Sequence, residues 1–197
     1  FALYANVTPN DTFYSPYLWN MHNAGQDAGT ADADIDAPEA WTISRGAGET
    51  VAVSDTGIDT GHPEFAGRLV PGWDFIDDDG DPQDAHGHGT HVAGTIAAAE
   101  DGAGVIGVAP AARIMPLRVL DANGGGNSAD VAAAFAYAGD RGVRVVNASL
   151  GSPYPSQVER AAIRSHPGTL YVVAAGNGGD DAVGDDVDGA TREYPCA

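Results

Sequence analysis

Apolar and polar positions along the chain predict a regular succession of strands and helices. Short runs of apolar and β-branched residues bounded by turn residues predict strands, and small apolar residues at helical spacing predict helices. The predicted strands cover residues 50–54, 68–75, 113–120, 143–148 and 169–175, and the predicted helices cover 91–99, 128–139 and 156–165. Ser128 is the expected N-cap of the second helix.

This alternation is typical of an α/β fold. Strand–helix–strand units imply parallel strands joined by right-handed crossovers, so we expect a doubly wound parallel sheet with helices on both faces. The apolar runs 143–146 and 170–175 suit strands that are buried on both faces. Residues 1–35 are polar and irregular and are expected to form an arm packed on the domain, which itself spans 36–197.

Composition narrows the possible partners. The 197 residues carry a formal net charge of −19 and no lysine, which argues against nucleic acid or an anionic membrane as a partner. No apolar run reaches the roughly 18 residues that span a bilayer. Two explanations of the excess acid remain open: calcium-binding loops, and a surface adapted to high salt.

Polar or glycine-rich segments follow four of the predicted strands. They are Asp55, the triplet Gly124, Gly125 and Gly126, the triplet Ser149, Leu150 and Gly151, and Asn177. Ligands of open parallel sheets bind at the carboxyl ends of the strands. The sequence therefore predicts one shared cleft.

Three of the residues near these ends suit acyl-transfer chemistry. A carboxylate such as Asp55 can hold a histidine in one tautomer, His88 can accept and return a proton, and the Asn177 amide can stabilise an oxyanion. Other interpretations stay open. Asp55 can be a turn residue, an aspartic protease would need a second Asp-Thr-Gly, and His86, His88 and His91 are spaced closely enough for zinc.

Five sequence blocks, in order, resemble the subtilisin family of serine endopeptidases. The blocks are Asp55-Thr56-Gly57, His88-Gly89-Thr90-His91-Val92-Ala93-Gly94-Thr95, Ile106-Gly107-Val108-Ala109-Pro110, Asn147-Ala148-Ser149-Leu150-Gly151 and Ala175-Gly176-Asn177. The resemblance implies that Asp55 and His88 are the acid and base of a triad and that Asn177 is the oxyanion donor. It also implies substrate-binding edges at 124–126 and 149–151, and a specificity pocket lined by Ala174 and Gly176.

The triad serine has no match, because no serine lies in a Gly-Thr-Ser-Met-Ala setting. In the family this serine follows the segment that the chain covers, so we expect the C-terminal part of the catalytic domain to be missing and to act as a partner. Two alternatives remain: a non-catalytic calcium- and peptide-binding module, and one chain of a nicked two-chain protease. The pairing of Cys196 is left undetermined.

Two segments are candidate calcium sites, since calcium takes six to eight oxygen ligands. The acidic loop resembles a calcium loop found in some family members, which implies Asp74, Asp77, Asp79, Asp81 and Gln83 as ligands. A second site implied by the resemblance would use Asp11, Glu64 and Asp101, with Glu64 standing where the family has aspartate.

The sequence as a whole thus predicts a secreted serine endopeptidase, stabilised by Ca²⁺, that acts on peptide or protein substrates. The chain alone, lacking the nucleophile, is expected to be inactive. An incomplete sheet is also expected to expose apolar surface along its broken edge. The side-chain preference of the enzyme is not predicted.

Overall fold

The computed structural model describes residues 8–177 and 194–195. The chain forms two compact units. The N-terminal unit comprises Phe1–Glu49, Gly61–Arg68 and Ala93–Arg113, and the sheet unit comprises Thr50–Thr60, Leu69–Val92 and Ile114–Ala197. The predicted division into an arm at 1–35 and a domain at 36–197 stays a prediction. The expectations about residues 1–7, 178–193 and Cys196 lie outside the described residues.

In the described part of the chain, five parallel strands form one sheet. In chain order they are β1 (Thr50–Asp55), β2 (Trp73–Asp74), β3 (Arg113–Arg118), β4 (Val145–Ala148) and β5 (Leu170–Val173), and their order in the sheet is β2-β3-β1-β4-β5. The register aligns Val53 with Asn147 and Ala148 with Val173. From β1 the chain crosses to β2, returns to β3 beside β1, and then continues through β4 and β5 on the other side of β1. This winding on both sides of β1 confirms the predicted doubly wound α/β fold.

Within residues 8–177, five α-helices accompany the strands: α1 (Tyr14–Tyr17), α2 (Ala37–Trp41), α3 (His88–Ala97), α4 (Ser128–Asp140) and α5 (Gln157–Ser165). Two short 3-10 helices cover Gln26–Ala28 and Pro63–Phe65. No helix was predicted at α1 or α2, and α3 begins three residues before the predicted helix. None of the described helices is long and apolar enough to cross a bilayer.

The predicted cap of α4 is wrong by one residue. Asn127, in extended conformation, is the N-cap, and its side-chain oxygen accepts hydrogen bonds from the N–H groups of Ala129 and Asp130. Ser128 is the first helical residue. The N-cap of α5 is Ser156, whose hydroxyl accepts from the Glu159 N–H.

The core of the sheet unit lies where α4 packs against β1 and α5. Phe135 is fully buried, and its ring lies 5.0 Å from that of Tyr171. The Tyr137 hydroxyl donates to the carbonyl of Gly72, which attaches α4 to the segment before β2. This packing holds the carboxyl ends of β1 and β4 in a fixed register.

Burial of β5 on both faces is not observed. Leu170 and Val172 are 62% and 46% exposed, whereas β4 has alternating buried positions. The reason is position: among the described strands β5 is paired on one side only, with β4. A run of apolar residues does not distinguish a central strand from an outer one.

The N-terminal unit has its own core, in which Tyr14, Met21, Trp41 and Ile106 are buried. The Trp41 indole N–H donates to the carbonyl of Val108. This hydrogen bond joins the last residue of α2 to a segment 67 residues later in the sequence.

Candidate active site

The Asp55 carboxylate and the His88 imidazole form a hydrogen-bonded pair. Asp55 ends β1 and is fully buried, and its Oδ1 lies 2.7 Å from Nδ1 of His88. His88 begins α3, and 45% of its side chain is exposed. An Nδ1–H that donates to a carboxylate leaves the other ring nitrogen as a proton acceptor. The pair can therefore take a proton from a group placed in the adjoining cleft.

Two glycines allow this approach. A side chain at Gly89 would lie 2.1 Å from the carbonyl oxygen of Gly57, so the first turn of α3 can pack against the end of β1 only with glycine there. Gly57 has φ +101° and little space for a side chain beside Pro82. The close packing of backbone on backbone fixes where His88 begins.

The Asp84 carboxylate links the segments that carry Asp55 and His88. Its carboxylate accepts hydrogen bonds from the hydroxyls of Thr56 and Thr90 and from the N–H groups of His86, Gly87 and Thr90. Burial would raise the pKa of Asp84, but these donors outweigh it and hold the pKa at about 2. Thr56, which follows Asp55, and the loop before His88 are therefore hydrogen-bonded to the same carboxylate, that of Asp84.

A cleft of about 510 Å³ adjoins the pair, within the usual size range of ligand sites. Its lining includes His88 and all six predicted substrate-binding residues from the two strand-end segments: Gly124, Gly125, Gly126, Ser149, Leu150 and Gly151. The turn before the glycines is held by Asp121, whose carboxylate accepts from the N–H groups of Asn123 and Gly125. Two of the four segments that were predicted to share a cleft, 124–126 and 149–151, therefore line it together. That the cleft binds a substrate stays a prediction.

The remaining predicted site residues of the sheet lie elsewhere. Asn177, Ala174 and Gly176 follow β5, and they are not among the described residues that line this cleft. Asn177 is exposed and ends the continuous described stretch. Its assignment as an oxyanion donor stays a prediction.

The acidic loop is held by internal contacts. Asp74 is buried, and its carboxylate accepts from Arg118 and from the N–H groups of Ile76 and Asp77. Arg118 also pairs with the Asp77 carboxylate at 2.7 Å.

Two further predicted ligands of this loop also make internal contacts. The Asp79 carboxylate accepts from the Asp81 N–H, and the Gln83 side-chain oxygen accepts from the N–H and hydroxyl of Thr60. In this arrangement the Arg118 guanidinium compensates the charges of Asp74 and Asp77. Calcium binding there stays a prediction.

The second candidate calcium site brings its three carboxylates near one another. Asp11 and Glu64 are buried. Oδ1 of Asp11 accepts from the Asp101 N–H, while Oδ2 is buried without a partner in the described structure. Burial and the charge of Asp101 raise the pKa of Glu64, the N–H groups of Ala99 and Val105 oppose this, and Asp11 adds to it. Such mutual repulsion suits a bound cation.

No three carboxylate, imidazole or thiol groups of the described residues are close enough to hold a metal by themselves. The zinc interpretation of His86, His88 and His91 therefore gains no support. A calcium ion bound by Asp11, Glu64 and Asp101 would need backbone carbonyl oxygens as further ligands, as calcium often does.

Two residues of interest were missed in the sequence. Asp84 precedes the loop to α3 by the spacing of an Asx turn, a signal that was available. Glu159 occupies the third position of α5, three residues after the N-cap serine, which is the spacing of a capping box. Glu159 is buried and lines the cleft.

A family model described as "Subtilase family" matches residues 46–197. Thermitase from Thermoactinomyces vulgaris is 39% identical over 178 residues, covering 89% of this chain and 60% of the relative. Subtilisin Savinase from Lederbergia lenta is 45% identical over 157 residues, covering 73% of this chain and 57% of the relative.

The crystal structure of a cold adapted subtilisin-like serine proteinase matches with a TM-score of 0.70 and 32% identity, covering 91% of this chain and 60% of that one. The chain thus spans 60% or less of these relatives. The family model covers most of the chain, and the five strand-end and helix blocks fold as a doubly wound sheet that carries an Asp–His pair. The chain belongs to the subtilase family.

Proposed function

We propose that the protein of which this chain forms part is a serine endopeptidase, with Asp55 and His88 as the acid and base of its triad. The carrying observation is the 2.7 Å contact between a fully buried carboxylate and a half-exposed imidazole beside the cleft. Family membership supports the same conclusion. The serine nucleophile would come from a segment outside these 197 residues.

The proposed chemistry assigns a role to each group. Asp55 keeps the Nδ1 proton on His88 and stabilises the imidazolium; the other ring nitrogen takes the proton of the serine hydroxyl as it attacks the peptide carbonyl, and then gives it to the leaving amine. We propose Asn177 as the donor to the oxyanion formed in that step.

Substrate binding in this proposal uses backbone pairing. The segments 124–126 and 149–151 line the cleft, and a peptide laid between them would add a strand to each. Main-chain hydrogen bonds would supply affinity, while alternate side chains of the peptide would enter pockets. Ala174 and Gly176 are proposed to line the pocket for the residue before the cleaved bond.

We further propose that Asp11, Glu64 and Asp101 hold Ca²⁺. The unpartnered buried oxygen of Asp11 and the raised pKa of Glu64 support a cation there. Calcium would stabilise the fold and take no part in the reaction. Secretion is retained as a prediction, testable by comparing culture medium with cell extract.

A fluorophosphonate probe tests the proposed chemistry on the full-length protein. Labelling of one serine is expected, and His88→Ala should abolish it because the base is lost. His22→Ala, which changes a histidine of the N-terminal unit, is the matched control and should label normally. Absence of labelling in the unmodified, folded protein would rule out the protease and favour a peptide-binding module.

A further inference from the structure

A carboxylate of the cleft has no partner in the described part of the chain. Glu159 as a residue is 6% exposed, and neither a hydrogen bond nor an ion pair of its carboxylate is present among the described residues. The Glu159 oxygens are not among the side-chain atoms that are fully shut off from solvent without a partner, so the carboxylate is reached from the cleft that it lines. A ligand that brings a positive charge would supply the missing partner.

The helix terminus does not satisfy this carboxylate. In a complete capping box the side chain at the third position accepts from the N–H of the cap residue. Here the Ser156 hydroxyl accepts from the Glu159 N–H at 3.2 Å, but the reciprocal bond from the carboxylate to the Ser156 N–H is not formed in the described structure. A structural role as the second half of the box is therefore unsupported.

The carboxylate lies between two cavities. One is the substrate cleft, and the other, of about 460 Å³, is lined by Arg160 and Arg164 as well. Both arginines are exposed, and neither is ion-paired with Glu159 in the described structure. Arg160 and Arg164 line only the second cavity, so they leave the charge in the cleft uncompensated.

Among the described residues that line the cleft, negative charge is present without a lysine or arginine to compensate it. Glu159 is the one acidic residue among the described residues that line it, and no lysine or arginine is among them. The net charge of −19 adds an attractive field for cationic ligands. Resting on the proposed function, we infer that Glu159 makes the enzyme select peptides with a basic side chain, Lys or Arg, at one position of the bound segment.

A set of peptide substrates tests this on the full-length protein. Peptides that differ at one position at a time, with Lys, Arg, norleucine or Glu, should show kcat/KM at least about tenfold higher for the basic side chains at one position, which corresponds to ~1.4 kcal/mol. Glu159→Gln should remove the selection, and 1 M NaCl should weaken it. Asp32→Asn removes the same charge from an exposed site outside the cleft and should leave it intact.

A melting temperature distinguishes this role from a structural one. Since the carboxylate has no described partner, Glu159→Gln and Glu159→Met should melt no lower than the unmodified protein, and Glu159→Met should favour norleucine over lysine. A large drop in melting temperature for both variants would mean that Glu159 is a structural residue.

Two negative results have separate meanings. Cleavage of peptides without preference for a basic side chain, or a preference that Glu159→Gln retains, overturns this inference and leaves the proposed protease standing. Failure of the folded protein to cleave any peptide or to react with the serine probe overturns the proposed function, and the inference with it.

Discussion

The Asp55 carboxylate determines which nitrogen of His88 carries a proton. Asp55→Asn keeps the size of the side chain but can present an amide N–H to Nδ1, which favours the wrong tautomer. Under the proposed function, kcat of the full-length protein should fall by about 10⁴-fold, the loss that this substitution causes in a Ser-His-Asp triad, with a much smaller change in KM. Steady-state kinetics on one peptide substrate measures this, and a loss below tenfold would contradict the assigned role.

Asp84 acts on the same pair from a distance. Its carboxylate receives five hydrogen bonds from the segments that carry Asp55 and His88, so Asp84→Ala leaves several donors unsatisfied. We expect the free energy of unfolding to fall by about 2–4 kcal/mol in urea titrations. Asp78→Ala, which changes an exposed acid of the neighbouring loop, is the comparison and should lose less.

Individual residues differ in how far the sequence reveals them. His88 was predictable because glycines and small residues surround it in one block. For Asp84 and Glu159 the sequence offers only the local spacing of an Asx turn and of a capping box. The hydrogen bonds of Asp84 to distant segments and the burial of Glu159 beside the cleft are not recorded by any local pattern. Asp55 was predicted from its position after a strand, and its contact with His88 follows from the packing of Gly89 on Gly57.

Two neighbouring residues at the start of α4, Asn127 and Ser128, are candidates for its N-cap. Asn127 accepts hydrogen bonds from Ala129 and Asp130, whereas Ser128 is already helical. Asn127→Ala should therefore cost about 1 kcal/mol of stability, and Ser128→Ala should cost far less. Chemical denaturation of both variants measures the difference, and equal losses would contradict the observed cap. Both residue types favour caps, so sequence alone could not choose between them.

The ends of α4 and α5 are joined by a histidine–carboxylate pair whose strength depends on pH. Nε2 of His166 lies 3.0 Å from Oδ1 of Asp140, and this bond, with the carbonyl of Ala162, raises the pKa of His166 above its ordinary value. Because the folded pKa is the higher one, the stabilisation is complete below the unfolded pKa, near 6.5, and is lost as pH rises through the folded pKa.

The measurement is the melting temperature between pH 5 and pH 9. The unmodified protein should lose stability through the upper part of that range relative to Asp140→Asn, in which the ion pair is absent. Parallel curves for the two proteins would show that the pair contributes nothing. Since the imidazole–carboxylate contact is partly exposed, the difference should shrink in high salt.

The positions of the strands in the sequence were easier to predict than the burial of their side chains in the sheet. Every predicted strand has a counterpart, although 68–75 contracts to Trp73–Asp74. The exposure of Leu170 and Val172 was not foreseen, because an apolar run records what a strand can bury and not where it lies in the sheet.

Calcium is expected to stabilise the fold as a whole. An ion bound only by the folded state at 100 times its dissociation constant adds about 2.7 kcal/mol, so chelation should lower the melting temperature of the full-length protein. Asp11→Asn should show a smaller response to chelator, because it removes one ligand charge. An unchanged melting temperature on chelation would contradict the calcium site. The excess acid outside this site keeps salt adaptation open.

The contact of Gly89 with Gly57 also affects how the protein would lose its activity on heating. The backbone positions from which the side chains of Asp55 and His88 extend are set by main chain packed on main chain. Warming cannot spread the two groups apart by degrees while the sheet persists. Loss of turnover and loss of the folded state should therefore occur together, at a single temperature.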